Sequence, residues 1–244
     1  MFLRFLPALF CAVVCAAQPA QNRLTDEERA GGWKLLFDGT TTNGWREITG
    51  LPFPETSWKI EDECLKAFLN ADGMQDIRTV EIFRSFDLQF EWKTAKGGNS
   101  GVKYLVQKTD RWQRKGEKGF QARARGLEYQ LTDDATSAEA KTDASRRTAA
   151  LYSALAPSQS EAVKPNVFHR SRIIVRGNHA EHWLNGVKVL SFEIDQPEVV
   201  GQLRKLIDPK CGGQAVEIRR ESPISLQNHN SETWFRNIKV RRLD

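Results

Sequence analysis

Residues 86–93 have the sequence Phe-Asp-Leu-Gln-Phe-Glu-Trp-Lys, in which every second side chain is large and apolar. The side chains between them are charged or polar. Because successive side chains of a β-strand point to opposite faces, this period of two predicts a strand with one face on a core and the other in water. A similar alternation recurs at 102–106 and 127–131.

The second half of the chain adds strands that are joined by tight turns. A β-branched run at 172–176 is followed by the turn sequence Gly177-Asn178. Asn185-Gly186 is favoured in two-residue hairpin turns, because both residue types tolerate a positive φ. The remaining predicted elements are strands at 180–184, 187–194, 224–227 and 233–242, a helix near 195–206 and an acidic helical turn at 25–28.

Many short strands separated by Gly, Asn and Pro turns predict an all-β sandwich or barrel. No repeat or linker divides the sequence, so we expect one domain over 31–244, preceded by a polar lead at 21–30. Residues 133–165 are rich in Ala, Ser and Thr and predict a long loop with a helical turn. Such loops on β scaffolds often form binding sites.

The first twenty residues resemble an export signal. Arg4 precedes an apolar stretch at 5–17 that is too short to span a bilayer comfortably, and small residues follow it. We therefore expect cleavage after Ala17 or Ala20 and a periplasmic or secreted protein; the alternative is a membrane anchor. Cys64 and Cys211 would remain after cleavage, either as one disulfide or as two thiols.

The composition excludes several classes of protein. The chain of 244 residues is 40% hydrophobic and 27% charged, which excludes wholesale disorder, a collagen and a multi-span membrane protein. Its 36 Lys and Arg against 31 Asp and Glu give a formal net charge of +5. Basic residues concentrate at 103–125, where we expect a solvated loop, with an acidic glycan as the alternative partner. Export argues against a nucleic-acid partner.

The sequence contains no nucleophile elbow, phosphate loop, zinc-protease motif or dinucleotide fingerprint. Its distinctive blocks are Trp-Lys-Leu-Leu-Phe-Asp-Gly-Thr at 33–40, Asn-Gly-Trp-Arg at 43–46, Gly-Asn-Ser-Gly-Val-Lys-Tyr at 98–104, Leu-Glu-Tyr-Gln-Leu-Thr-Asp-Asp at 127–134, Ala-Leu-Tyr at 150–152, Ala-Pro at 156–157, Glu-His-Trp-Leu-Asn-Gly-Val-Lys at 181–188, Leu-Gln-Asn-His at 226–229 and Trp-Phe-Arg-Asn-Ile-Lys at 234–239. In this order, over residues 31–243, they resemble the 3-keto-disaccharide hydrolase family.

The resemblance implies a fold and an activity. The fold would be a concanavalin A-like jelly roll of two antiparallel sheets with few short helices. The activity would be cleavage of glycosides already oxidised at C3, by exported bacterial proteins. A ketone at C3 acidifies the C2 proton, so such a site needs a general base, a cation or donor for the enolate oxygen, and an acid for the leaving group.

Glu128 and His229 are the candidate catalytic residues. Glu128 lies opposite three apolar side chains of its predicted strand, so it faces a cleft if those three face the core. The alternative is an ordinary solvent-facing carboxylate. His229 lies in the Leu-Gln-Asn-His block of the resemblance and titrates near neutrality, so it could act as base, acid or metal ligand. His182 is interpreted as a surface or packing residue.

Further residues are candidates for substrate binding. Asn99 and Lys103 follow a Gly-Gly turn, and Lys103 could polarise a ketone or simply be solvated. Asp133 and Asp134 end a strand and could bind sugar hydroxyls or cap a turn. The other candidates are Gln130, which shares a face with Glu128, Arg236, which is either a buried ion-pair partner or a site residue, and Trp112, the best of the seven Trp for stacking on a sugar.

A divalent metal ion is a further candidate component, because it would stabilise an enolate. Glu128, Asp133 and His229 are the tentative ligands, although they have no local metal-binding spacing. The family that this chain resembles has a His-containing stretch at the position that follows Asp134, whereas residues 135–140 of this chain contain no His. This departure weakens the case for a metal.

Two functions follow from the sequence. The first is an exported enzyme that cleaves 3-keto-glycosides by abstracting the C2 proton, with an oligosaccharide or glycoside as its substrate. The alternative is a non-catalytic, lectin-like carbohydrate-binding module on the same scaffold.

Overall fold

The computed structural model describes residues 21–69, 72–159, 163–208, 210 and 217–244. These residues form two antiparallel β-sheets with a few short helices, which confirms the predicted all-β sandwich. The predicted export signal at 1–20 and the predicted pairing partner Cys211 lie outside the described residues. Cys64 is described, and it is a buried free thiol.

The larger sheet contains eight strands among the described residues. They are β1 (Trp33–Leu35), β3 (Trp58–Glu61), β4 (Cys64–Ala67), β6 (Phe86–Thr94), β9 (His169–Arg176), β10 (His179–Leu184), β11 (Val187–Glu193) and β13 (Thr233–Arg242). Their order across the sheet is β11-β10-β9-β6-β13-β4-β3, and β1 pairs with the C-terminal part of β13. The turn between β10 and β11 has a positive φ at both Asn185 and Gly186, as predicted.

The smaller sheet positions the candidate site. It contains β2 (Trp45–Glu47), β5 (Ile77–Thr79), β7 (Asn99–Gln113), β8 (Phe120–Thr132) and β12 (Ser225–Leu226), in the order β2-β5-β12-β7-β8. The short β12 lies between β5 and β7, so the segment that follows it is brought beside the two long strands.

The core lies between the two sheets and is built by the alternating strands. Phe86, Leu88, Phe90 and Trp92 are each 2% exposed or less, and Leu127, Tyr129 and Leu131 of β8 are equally buried. Burying a side chain of this size stabilises the fold by roughly 1.5–3 kcal/mol. The Trp92 Nε1 proton is donated to Ser171 Oγ at 2.9 Å, which satisfies the polar atom of this buried ring.

The β7–β8 hairpin contains a β-bulge, which bends it. Its register shifts between Tyr104 and Lys108, and Leu105 has a φ of 48° at the bulge. Gly126 is required opposite the bulge, because a β-carbon there would lie 2.7 Å from the Tyr104 carbonyl oxygen. The bend brings the outer arm of the hairpin against the segment before β5, where the Asp76 amide donates to the Ala122 carbonyl at 2.8 Å.

Three short α-helices complete the described structure: α1 (Asp26–Ala30), α2 (Ala138–Thr142) and α3 (Pro197–Ile207). Helix α1 begins with a capping box on Thr25, and α3 begins with a proline, as a helix start favours. Residues 149–152 lie along the free edge of β8 through backbone hydrogen bonds. Within the described residues no helix is long and apolar enough to cross a bilayer.

Candidate active site

Two cavities could hold a sugar. The larger, of about 470 Å³, lies over the outer face of the larger sheet, and its walls carry ion pairs such as Arg170–Glu91 and Lys239–Glu28. The smaller, of about 350 Å³, lies on the smaller sheet and brings together four of the predicted site residues: Lys103, Trp112, Glu128 and His229. We assign the candidate active site to the smaller cavity, because it contains a buried carboxylate with an altered pKa.

Glu128 faces this cavity from β8. The apolar neighbours Leu127 and Tyr129 point into the core, so Glu128 points the other way, and its side chain is only 14% exposed. Its cross-strand partner on β7 is Lys103, whose Nζ lies 3.7 Å from Glu128 Oε2. Burial raises the pKa of the Glu128 carboxyl above its usual value, although the Lys103 charge opposes the shift.

Lys103 and Arg123 converge on a carboxylate beneath the cavity floor. Asp76 is fully buried; its Oδ2 lies 3.1 Å from Lys103 Nζ, and its Oδ1 lies 2.8 Å from Arg123 Nη1. Burial would raise the pKa of Asp76, but the two cations and the Ala124 amide hold it below its usual value. Asp76 is therefore ionised, and Lys103 is a buried ion-pair partner rather than a solvated lysine.

His229 lies at the exposed rim of the same cavity. The preceding residue, Asn228, accepts a hydrogen bond from Arg123 at its backbone carbonyl. The surrounding protein, followed by the positive charges of Arg123 and Lys103, lowers the pKa of His229 below 6.5. The imidazole is therefore neutral at neutral pH and can accept a proton.

The cavity walls come from three further segments. Trp112 is 36% exposed and lines the wall formed by the bent hairpin. Tyr152 also lines the cavity, beside the edge of β8, where its amide donates to the Glu128 carbonyl at 3.0 Å. Gln202 and Leu206 of α3 complete the lining. An exposed indole beside polar groups is suited to stack on a pyranose ring.

Asn99 and Gln130 lie farther along the same two strands. Gln130 Nε2 donates to Asn99 Oδ1 at 3.3 Å, and Gln130 Oε1 is buried without a hydrogen-bond partner. Gln130 is two residues from Glu128 on β8, so it shares the outer face of the smaller sheet. The structure thus brings the pair beside the cavity, although neither residue belongs to its lining.

Asp133, Asp134 and Arg236 have structural partners instead. Asp133 accepts hydrogen bonds from the Gly97 amide at 2.9 Å and the Thr136 hydroxyl at 2.8 Å, and Asp134 accepts one from the Thr148 amide at 2.9 Å. Arg236 lies on β13 of the other sheet, where its Nε is 2.9 Å from Glu91 Oε2 and its guanidinium stacks on Phe168. Asp133 and Asp134 thus have the turn-capping role, and Arg236 the ion-pair role, that the sequence offered as alternatives to substrate binding.

The structure does not assemble the tentative metal ligands. No group of three His, Cys, Asp or Glu side chains that could hold a metal ion occurs in the described parts of the chain. Asp133 is engaged in its turn, and the ammonium group of Lys103 lies beside Glu128 where a cation would otherwise bind. The donor set therefore does not fit a divalent ion, and the positive charge at the site belongs to Lys103 and Arg123.

Sequence reasoning missed three residues of the site: Asp76, Arg123 as a site residue, and Tyr152. Asp76 precedes the three-residue strand β5, too short for a period-two signal, and its partners are distant in sequence. The sequence places Arg123 in a solvated basic loop at 103–125, but residues 103–113 and 120–125 lie in the strands β7 and β8, and the Arg123 side chain is largely buried. His182, interpreted as surface or packing, is fully buried, and its Nε2 lies 2.7 Å from the Tyr104 hydroxyl.

Comparisons with known proteins agree with this fold. A 3-keto-disaccharide hydrolase from Bacteroides thetaiotaomicron is 32% identical over an alignment of 238 residues that covers 88% of this chain and 80% of that protein. A crystal structure of a candidate glycosyl hydrolase from Parabacteroides distasonis has a TM-score of 0.72 at 28% identity, and covers 92% of this chain and 100% of its own. A second structure from that species, with a TM-score of 0.57 at 24% identity, covers 82% of this chain and 100% of its own, and shares the fold.

The family model described as the 3-keto-alpha-glucoside-1,2-lyase-like domain matches residues 32–241, which include every strand of both sheets except the last residue of β13. All four predicted residues that line the cavity lie within this match. The chain therefore belongs to the 3-keto-alpha-glucoside-1,2-lyase-like family.

Proposed function

We propose that this protein is an exported enzyme that cleaves the glycosidic bond of 3-keto-disaccharides or related 3-keto-glycosides by removing the C2 proton. One observation carries the proposal: a carboxylate with a raised pKa, Glu128, lies 3.7 Å from a buried ammonium group in a cavity of about 350 Å³. Membership of the family and the likeness to a named 3-keto-disaccharide hydrolase support a glycosidase-type enzyme.

Glu128 is the proposed general base. Its carboxylate takes the proton from C2, and the electrons of that C–H bond form a C2=C3 double bond while the C3 oxygen becomes an enolate. A carboxylate whose pKa is raised suits this step, because it is a stronger base than an ordinary carboxylate.

Lys103 is the proposed electrophile for the C3 oxygen. Its ammonium group is fixed in the cavity floor, where it is only 5% exposed, and Arg123 lies beside it on the same carboxylate. Fixed positive charge that faces a developing oxyanion in a partly dry cavity stabilises the enolate far more than solvent-exposed charge would.

The enolate then collapses, so that C3=O re-forms, C1=C2 forms and the C1–O bond breaks. The protonated Glu128 can return its proton to the departing oxygen. Neutral His229 at the rim is the proposed base for a water molecule whose oxygen adds to C1; the proton taken from that water is returned to C2, and the C1=C2 double bond is consumed, which converts the elimination into a net hydrolysis. Without that addition the same first step would give a lyase.

The cavity favours a short glycoside. Its volume of about 350 Å³ is at the low end of ligand pockets, and Trp112 offers one exposed aromatic face for a sugar ring. These features support a mono- or disaccharide unit rather than a long polysaccharide.

Aglycone release from a 3-keto-glucoside and from its unoxidised parent, with and without EDTA, tests the proposal. We expect release from the keto substrate alone, and its loss in Glu128→Gln and His229→Ala with the circular dichroism spectrum retained. Glu193→Gln, an exposed carboxylate on β11, is the matched control and should keep full activity. No release from either substrate, with glycan binding retained, would instead support the non-catalytic binding module.

Export is a separate part of the proposal and rests on residues 1–20. Expression of the full chain in a Gram-negative host, followed by N-terminal sequencing of the periplasmic protein, tests it. We expect a mature chain that begins after Ala17 or Ala20. An uncleaved chain in the cytoplasm or membrane fraction would contradict it.

A further inference from the structure

We propose that Asp76 is a positioning residue of this reaction, which holds Lys103 and Arg123 together as a paired cation facing the C3 oxygen of the substrate. The inference rests on the proposed function and extends it to a residue that does not line the cavity. Asp76 lies behind the floor, whereas both cations belong to the lining.

The carboxylate of Asp76 has four polar partners and no exposed surface. Oδ2 accepts from Lys103 Nζ at 3.1 Å and from the Ala124 amide at 3.0 Å. Oδ1 accepts from Arg123 Nη1 at 2.8 Å and from the Asn228 amide at 3.3 Å. One buried group therefore fixes the positions of β7, β8 and the segment that carries His229.

This arrangement leaves Lys103 with one donor to spare. An ammonium group has three protons, and two of them point to Asp76 Oδ2 and to the Ala124 carbonyl at 3.2 Å. The third proton is left for the cavity side of the ammonium group, where Glu128 Oε2 lies 3.7 Å from Nζ. Asp76 thus aims the donor as well as anchoring the charge.

The charges of the cluster suit a reaction that moves one negative charge. Before the reaction, Asp76 and Glu128 balance Lys103 and Arg123. When Glu128 takes the C2 proton, its negative charge disappears and an equal charge appears on the C3 oxygen. The two cations can stabilise the new negative charge while they remain bound to Asp76, so the site needs little rearrangement in the transition state.

Another buried carboxylate that binds two cations, as Asp76 does, gives a matched control elsewhere in the molecule. Asp87 is 1% exposed on β6 and binds two arginines, Arg172 at 2.6 Å and Arg241 at 3.1 Å, on the outer face of the larger sheet. Asp87→Asn breaks a buried carboxylate–dication cluster, as Asp76→Asn does, but far from the proposed chemistry. The comparison separates a general loss of stability from a loss of positioning.

The test measures kcat and KM of Asp76→Asn and Asp87→Asn on a 3-keto-glucoside, with folding checked by circular dichroism. We expect kcat of Asp76→Asn to fall by about 100-fold or more, the usual effect of losing one oxyanion donor, with KM changed by less than about threefold. Asp87→Asn should keep kcat within about twofold. A folded Asp76→Asn with wild-type kcat would overturn the inference.

Asp76→Glu is the second variant, because it keeps the buried charge if Asp76→Asn does not fold. Its longer side chain shifts both cations, so we expect a folded protein whose kcat is reduced by about 10-fold with KM little changed. Wild-type kcat in this variant would also overturn the inference. If the wild-type enzyme itself shows no turnover, the proposed function is wrong. If the wild type and both Asp76 variants are fully active, only the inference about Asp76 is wrong, so the two failures can be distinguished.

Discussion

The carboxyl group of Glu128 occupies the space in which residue 101 of the neighbouring strand would carry a β-carbon. A β-carbon on Gly101 would lie within 2.8 Å of Glu128 Cδ and closer still to Oε1. Gly101 pairs with Gln130 across the two strands, so the Glu128 side chain leans along the sheet instead of standing upright. The glycine therefore sets the direction in which the proposed base points.

Gly101→Ala should inactivate the enzyme without unfolding it. The three nearest atoms that would clash are Cγ, Cδ and Oε1 of the Glu128 side chain and not backbone, so this side chain can change rotamer and move away at a small cost in stability. The displaced base would no longer meet the C2 proton, and we expect kcat to fall by about 100-fold or more, since misplacement of about 1 Å has this effect. Steady-state kinetics and a thermal melt check it.

Gly201→Ala in α3 is the control for this substitution. A β-carbon there meets no atom within 4 Å, so activity should be unchanged. Full activity in Gly101→Ala would show that the position of the Glu128 carboxyl is not critical.

The pH dependence of kcat/KM should report the raised pKa of Glu128. Burial is the largest cause of the shift; Lys103 and Arg123 oppose it, and Asp76 adds to it. A base must be ionised, so activity is lost as the pH falls through this pKa, and the acid limb should lie above the ordinary value of 4.5. An acid limb at or below that value would contradict the assignment of Glu128 as the base.

Trp112→Ala should weaken substrate binding more than it slows the chemical step. The indole is 36% exposed in the cavity lining and has no titratable group, so its loss removes stacking on the sugar and not a proton-transfer group. We expect KM to rise by about 10-fold, which corresponds to about 1.4 kcal/mol of stacking. Trp183→Ala, in the larger cavity on the opposite sheet, is the control. If only Trp183→Ala raised KM, the sugar would bind at the larger cavity.

His182 should make the fold less stable in acid. It is fully buried between the sheets, its Nδ1 donates to the Ala149 carbonyl, its Nε2 accepts from the Tyr104 hydroxyl, and burial lowers its pKa from 6.5 to about 4. A depressed folded pKa means that protonation favours unfolding. The stability present above pH 6.5 is therefore lost as the pH falls towards 4, by about 3 kcal/mol.

Urea unfolding of the wild type and of His182→Gln at pH 7 and pH 4.5 measures this loss of stability in acid. The wild type should lose more free energy of unfolding between the two pH values than His182→Gln does. His179→Gln, an exposed histidine on the same strand, should keep the wild-type dependence. Identical dependence in all three proteins would show that His182 does not contribute.

The sequence predicted those parts of the fold whose pattern is longer than four residues. The strands around Phe86, Tyr104 and Tyr129 alternate over enough residues to give a period-two signal, and the Asn185-Gly186 turn is encoded by its own two residues. The first five strands, β1 to β5, are three or four residues long, and no alternation can be recognised over that length. Their positions depend on pairing with distant strands.

The candidate site was predictable only in part, for a related reason. Glu128 could be assigned to the outer face because Leu127 and Tyr129 alternate with it. Asp76 has no such local signal, since its role depends on Lys103 and Arg123, which the bend of the β7–β8 hairpin brings to it. Asp133 resembled a ligand in sequence, but the turn at the end of β8 uses its carboxylate.

The most direct measurement follows the hydrogen at C2 of a 3-keto-disaccharide during turnover in deuterium oxide. If Glu128 removes this proton, the released 3-keto sugar or its enone product will carry solvent deuterium or lack the original hydrogen at C2, and a substrate deuterated at C2 will react more slowly. Glu128→Gln should abolish both effects together with turnover. Cleavage that leaves the C2 hydrogen in place, with no isotope effect, would contradict the central claim that this site works through an enolate.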